Sequence, residues 1–141
     1  MELPLRLLVA AVVVGLTVPA IHGGLNAYET AQASRTAEVA IDAVVRVAQR
    51  LYLSGGGAQD VVVDLSGGVT ARVEYVRIGD TAGGPRAPSA VYKVSGAPER
   101  FLLAEPPVPM AGEAGPLDLG PGHTVVRVSY DGEGPVRLAV P

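Results

Sequence analysis

Few side chains in this chain are able to carry acid–base or nucleophilic chemistry. There are two histidines, His22 and His123, and no cysteine. Disulfide scaffolds, thiolate metal sites and cysteine nucleophiles are therefore excluded. His22 falls at the end of an apolar run, where an interfacial side chain is the expected role. His123 follows Gly120-Pro121-Gly122 and opens a strand-like stretch, the place of a surface turn residue. A Ser/His/acid relay can be drawn from Ser66 or Ser129, His123, and Asp64 or Asp131. No G-x-S-x-G elbow supports it, so no catalytic residue is assigned and the chain is expected not to be an enzyme. The carboxylates are scattered without His-x-His or Asp-x-Asp spacing, so no metal ligands, no cofactor and no small-molecule substrate are expected. Gly55-Gly56-Gly57 and Gly67-Gly68 lack the Lys-Ser/Thr of a phosphate loop and stand where turns need glycine.

Glu2 is the one unusual titratable residue. A carboxylate at the edge of an apolar helix is expensive inside lipid and requires a partner. Either it stays among headgroups, paired with Arg6 at i+4, or it meets the N-terminal amine or Arg6 of a neighbouring subunit.

The elements that would position these residues follow from where charge is missing. The 141 residues, about one domain's worth, carry 11 Lys+Arg and 14 Asp+Glu for a net charge of -3. They are 48% hydrophobic and only 18% charged, against about a quarter charged in ordinary globular chains. With 18 Gly, 12 Pro, no Trp and a single Phe, a large core is the weaker explanation of that excess. The acidic balance and scarce aromatics also argue against a nucleic-acid partner. Residues 7–28 contain no Asp, Glu, Lys or Arg. As a helix they span about 33 Å, enough to cross a ~30 Å hydrocarbon layer. A cleaved signal peptide would use the same run, with Val18-Pro19-Ala20 as its cleavage site. A retained membrane anchor is preferred, and Arg6 before the run favours a cytoplasmic N-terminus.

The helix is expected to continue, over residues 5–53 in all. Residues 25–53 hold no Gly or Pro and are rich in Ala, Gln, Glu and Arg, which favours helix. Ala37, Ile41, Val44, Ala48 and Leu51 recur in steps of four and three and form one packing stripe. That stripe covers either the following sheet or a helix of another subunit. Glu38, Asp42, Arg46 and Arg50 follow on another face, with Asp42 and Arg46 in the favourable order for a helix pair. Pro19 removes a backbone donor and should kink the helix, and Ser54-Gly55-Gly56-Gly57 should end it.

Strand-like runs follow at 61–65, 69–78, 90–94, 100–104, 124–130 and 136–140. Ser66-Gly67-Gly68 and Asp131-Gly132-Glu133-Gly134 have the composition of hairpin connections. Residues 80–88 and 105–122 interrupt the pattern. The second holds Pro106, Pro107, Pro109, Pro116 and Pro121 and is expected to be irregular surface chain. The fold class is therefore α+β, a long N-terminal hydrophobic and amphipathic helix followed by a small antiparallel sheet or β-sandwich. The expected divisions are residues 1–25 as membrane or filament-core helix, 26–54 as amphipathic stalk and 55–141 as extracellular β-domain.

An apolar N-terminal helix that becomes an amphipathic stalk, ends in glycines and passes into a β-domain resembles the type IV pilin-like superfamily, which includes archaeal pilins, archaellins and pseudopilins. Glu2 and Pro19, 17 residues apart, are similar to that family's assembly glutamate and helix-kinking proline. The resemblance implies a single-pass cell-surface protein that assembles with copies of itself or other pilin-like subunits, with Glu2, Arg6 and Pro19 serving anchor and assembly. It implies a structural subunit or accessory component of an archaeal-type filament or secretion apparatus. The alternative is a non-assembling anchored or secreted β-domain that binds a ligand or protein.

Overall fold

A computed structural model describes residues 2–68 and 70–141, with side chains from residue 4 onward. One helix, α1 (Glu2–Ser54), leads into β1 (Gly57–Asp64), β2 (Val73–Ile78), β3 (Ser89–Val94), β4 (Arg100–Leu103), β5 (Met110–Ala111), β6 (Leu117–Leu119), β7 (His123–Tyr130) and β8 (Val136–Ala139). At 1.5 Å per residue α1 is about 80 Å long. Its assignment is unbroken at Pro19 and at Gly23-Gly24. The helix ends as its glycines dictate. The N–H of Gly56 returns to the carbonyl of Leu51 at 3.2 Å, and Gly55 takes a φ of 85°, a left-handed value that favours glycine in a C-cap.

The strands form two four-stranded sheets, ordered β1-β7-β8-β5 and β4-β3-β2-β6. Pairing is antiparallel except for the two-residue β5–β8 match. Both sheets share one core with the C-terminal half of α1, giving the α+β class expected. Alternation sorts the side chains: Val63, Val126, Val128 and Leu138 point inward from the first sheet, and Val73, Val76, Ile78 and Val94 from the second. The helix touches strands of both sheets, so it forms a third wall of the core.

Three expectations are corrected. Ser66-Gly67-Gly68 is a crossover between sheets, not a hairpin. β1 instead pairs with β7 over its whole length, from Gly57 opposite Tyr130 to Asp64 opposite His123, and β2 belongs to the other sheet. Turn residues mark where a chain reverses, not which strand it will pair with. The run 69–78 begins its strand only at Val73, because the N–H groups of Thr70 and Ala71 are donated to the Glu29 carboxylate of α1 and are lost to any ladder. Val69 lies outside the described residues.

Residues 105–122 are not simply surface chain. They supply β5 and β6 and bury Val108, Met110, Ala111, Leu117 and Leu119. Their prolines flank the two short strands without entering them, where a missing donor costs no ladder bond. The Pro109 carbonyl accepts from Val136, and the Met110 N–H donates to Ala87, both within 2.9 Å. By contrast Asp131-Gly132-Glu133-Gly134 does join the paired strands β7 and β8.

Candidate functional site

Two properties of α1 define the region of interest. Residues 4–28 are exposed throughout, including eleven Leu, Ile and Val side chains from Leu5 to Leu25. Burial begins at Ala33 and continues to Leu51, with Ala37, Ile41, Val44, Ala48 and Leu51 all enclosed. The packing stripe thus lies against the sheets of its own chain. Asp42 and Arg46 form the i,i+4 pair at 2.8 Å on an exposed face.

The exposed half is apolar at a scale that matters. Fully covering an exposed Leu, Ile or Val side chain is worth about 1.5 kcal/mol or more, and eleven of them stand uncovered along this one stretch of helix. Exposed apolar surface of this extent is the kind that commonly meets a membrane or another protein. Within it the Thr17 hydroxyl donates to the Val13 carbonyl at 2.5 Å, which satisfies the one polar side chain between Leu7 and Ile21 without water. The helix is long and apolar enough to cross a membrane, compatible with single-pass anchoring.

The residues singled out for anchoring and assembly sit in this half. Arg6 and Pro19 are exposed on α1. Glu2 opens the helix, but its side chain lies outside the described residues. His22 is exposed on the helix, like its neighbours from residue 4 to residue 28.

Where α1 enters the domain stands Glu29, which sequence reasoning missed. Its carboxylate accepts the backbone N–H of Thr70, the hydroxyl of Thr70 and the N–H of Ala71. It clamps the β1–β2 crossover onto the helix just where burial starts. The available signal was its place as the first charge after residues 7–28. Glu38, one face round, accepts the Tyr92 hydroxyl at 2.7 Å. Tyr92 is buried in the core, and burial first, then this bond to a carboxylate, raises the Tyr92 pKa above 10.0. Near the top of the buried half, Gln49 donates to the Pro106 carbonyl at 3.0 Å and Arg50 to Gln59 at 2.7 Å.

The structure brings Ser66, Asp64 and His123 together, though not in relay order. Both the N–H and the hydroxyl of Ser66 are given to Asp64 Oδ1, and His123 Nε2 stands 3.6 Å from Asp64 Oδ2. The carboxylate is in the middle, so the serine proton goes to it and not to imidazole, as in a turn closed by an Asp side chain. The Ser66 bonds lower the Asp64 pKa. Ser129 is not part of this cluster, and Asp131 closes the β7–β8 turn by accepting from Glu133 at 3.2 Å. Among the described residues no group of three His, Asp or Glu is placed to hold a metal ion.

Two grooves run along the buried half of α1, one on either side. The larger, about 520 Å³, lies between α1 and β4 and is lined by Glu38, Ile41, Asp42, Val45, Arg46, Gln49, Leu102, Ala104 and Glu105 among others. The smaller, about 410 Å³, lies between α1 and β1 and includes Arg35, Val39 and Val62. Both flank edge strands.

Comparison with protein-family models, with curated proteins and with solved structures finds no match for this chain. The architecture alone, a long N-terminal apolar helix followed by a small β-domain, fits that of type IV pilins.

Proposed function

We propose that this protein is a membrane-anchored subunit or accessory component of a type IV pilin-like surface filament or secretion apparatus, with its β-domain outside the cell. One observation carries the reading. A single helix is wholly exposed and apolar over residues 4–28 and then forms a wall of the β-domain core from Ala33 to Leu51. A helix shared in this way serves two covers in succession, lipid before assembly and neighbouring helices after it. Pro19 and the glycines at 15, 23 and 24 lower helix propensity within the exposed half. They give that half the freedom to adjust when its cover changes.

In this reading Glu2 neutralises the N-terminal amine or Arg6 of an adjacent subunit. The test is recovery of the protein in sheared surface filaments of its native cell, compared between wild type and Glu2→Ala. The expected result is incorporation of the wild type, loss of Glu2→Ala from filaments, and normal membrane levels of both. A mature N-terminus at Ile21 by intact-mass analysis, or a wild-type protein found only in membranes, would overturn the proposal.

A further inference from the structure

We infer that the anchor-side end of the β-domain rests on the phospholipid headgroups where α1 leaves the bilayer, with Arg35 and Arg72 placed to meet headgroup phosphates. This deepens the membrane-anchor part of the proposed function and rests on it. The length of α1 is the first argument. About twenty helical residues fill a ~30 Å hydrocarbon layer, so a span that starts with the charge-free run at Leu7 ends at Asn26. Glu29 then stands about 4–5 Å beyond the hydrocarbon, inside a headgroup layer that is itself about 5–7 Å deep. Tyr28 is 62% exposed and its hydroxyl accepts from Gln32 at 3.0 Å. Its apolar ring and polar tip are those of an interfacial residue.

The domain begins at that same level, without a spacer. The Glu29 carboxylate holds the N–H groups of Thr70 and Ala71, and the helix is buried from Ala33, one turn later. Arg72 follows the clamp and ties in the next connection. Its N–H donates to the Ser95 hydroxyl at 3.0 Å, and its carbonyl accepts from the Ser95 N–H at 2.9 Å. Leu65 likewise holds the start of β7 by donating to the Gly122 carbonyl at 2.9 Å. Three connections, 65–72, 95–99 and 120–122, therefore gather at the anchor-side end of the two sheets. Ser66, Gly67, Gly96, Pro98 and Pro121 are exposed there and carry no charge. A water layer under this end would require parting the crossover from Glu29 or lifting apolar helix out of the hydrocarbon.

The ionisable groups at this end are Glu29, Asp64 and Glu99 against Arg35, Arg72, Arg100 and His123. Formal charge is close to balanced, and what differs is engagement. Glu29 is held as above, Asp64 by Ser66 and His123, and Glu99 by the Tyr75 hydroxyl. Farther along, Glu38 and Glu74 are held by Tyr92 and Lys93. Arg100 lies opposite Tyr92 in the β3–β4 ladder. Arg35 and Arg72 are exposed, and among the described residues neither has a carboxylate at ion-pair distance. Side chains of a helix lean toward its N-terminus, which on α1 is the bilayer side, so Arg35 leans toward the headgroups. A guanidinium meets phosphate with two parallel hydrogen bonds, and phosphate is the anion that every phospholipid presents at this depth.

The chain has no cysteine, so single-cysteine variants of the full chain in phosphatidylcholine nanodiscs each carry one fluorophore. The sites are Val13→Cys in the apolar run, Pro98→Cys at the anchor-side end and Glu133→Cys in the β7–β8 turn at the opposite end. Nitroxides on the acyl chains should quench Val13→Cys, which establishes insertion. Nitroxides on the headgroups should quench Pro98→Cys at least about three-fold more than Glu133→Cys, which stands about 26 Å, one eight-residue strand, farther away. Solid-state NMR of the chain with 13C-labelled arginine should show guanidinium carbons coupled to lipid phosphorus. Arg35→Gln combined with Arg72→Gln should remove about half of that signal or more. Equal headgroup quenching at the two domain sites, or an unchanged arginine signal, would overturn the inference while leaving the anchor intact. Protection of Pro98→Cys from an aqueous quencher only when several copies share a disc would also overturn it, since a second copy would then be the cover. Absence of acyl-chain quenching at Val13→Cys would instead overturn the anchor reading, and this inference with it.

Discussion

The carboxylate of Glu29 accepts the N–H of Ala71 at 3.0 Å, across 42 residues of chain, and with the Thr70 bonds this ties the crossover between the two sheets to the helix. Glu29→Ala should strand two backbone donors in a half-buried site, at a cost of about 1–3 kcal/mol. Hydrogen exchange should show faster exchange at Thr70 and Ala71, while α1 from Ala37 to Leu51 stays protected. Gly68→Ala should produce a milder version of the same effect, because its added Cβ would come within 2.7 Å of the Glu29 carboxylate.

Ala48 has no exposed surface and lies among the residues that close the core. Ala48→Leu should overpack that contact and lower stability by about 1–3 kcal/mol, measured by denaturant unfolding in detergent. The loss should appear at every protein concentration, since the packing lies within one chain. A stripe used between subunits would make it concentration-dependent.

The Tyr92–Glu38 bond predicts a specific alkaline behaviour. The folded chain holds the Tyr92 proton above the ordinary 10.0, so near and above that pH the folded state binds more protons than the unfolded one. Its contribution is complete below pH 10 and is lost as the pH rises through the folded value. Ultraviolet titration should find two tyrosines that ionise late, Tyr92 and Tyr75, the second through its hydrogen bond to Glu99, and Tyr92→Phe should remove one of them. The same substitution should cost about 1 kcal/mol at neutral pH, with Glu38 losing its donor.

Acid should act on the first sheet. The Arg127 hydrogen bond lowers the pKa of Asp60, and the Ser66 hydroxyl and N–H lower that of Asp64. Depressed carboxylates stabilise above the ordinary 3.8 and lose that contribution as the pH falls through their lower folded values. The melting temperature should therefore decline below about pH 4. Ser66→Ala should return Asp64 toward 3.8 in a carboxyl NMR titration, leaving Asp60 unchanged.

Local pattern was legible in the sequence and remote pairing was not. The helix, its glycine stop, the Asp42–Arg46 pair and the stripe from Ala37 to Leu51 follow from spacings within a few turns. The β7–β8 turn was legible for the same reason. The assignment of β1 to one sheet and β2 to the other depends on β7, whose strand starts at residue 123, so Ser66-Gly67-Gly68 gave no hint of a crossover. Met110 and Leu117 were hidden by the prolines around them, since composition cannot distinguish a loop from two short strands bracketed by turns. Glu29 looked like the first charge after an apolar run. Its role comes from backbone groups of Thr70 and Ala71, which every sequence possesses and no sequence displays.

The shared helix also has a mechanical consequence. A pull on the exposed half of α1 is transmitted up the helix directly into the contacts from Ala33 to Leu51. That load runs along the helix axis, so these contacts resist together in shear and do not peel one at a time. The Glu29 clamp stands first in line, a latch at the point where the load enters the domain.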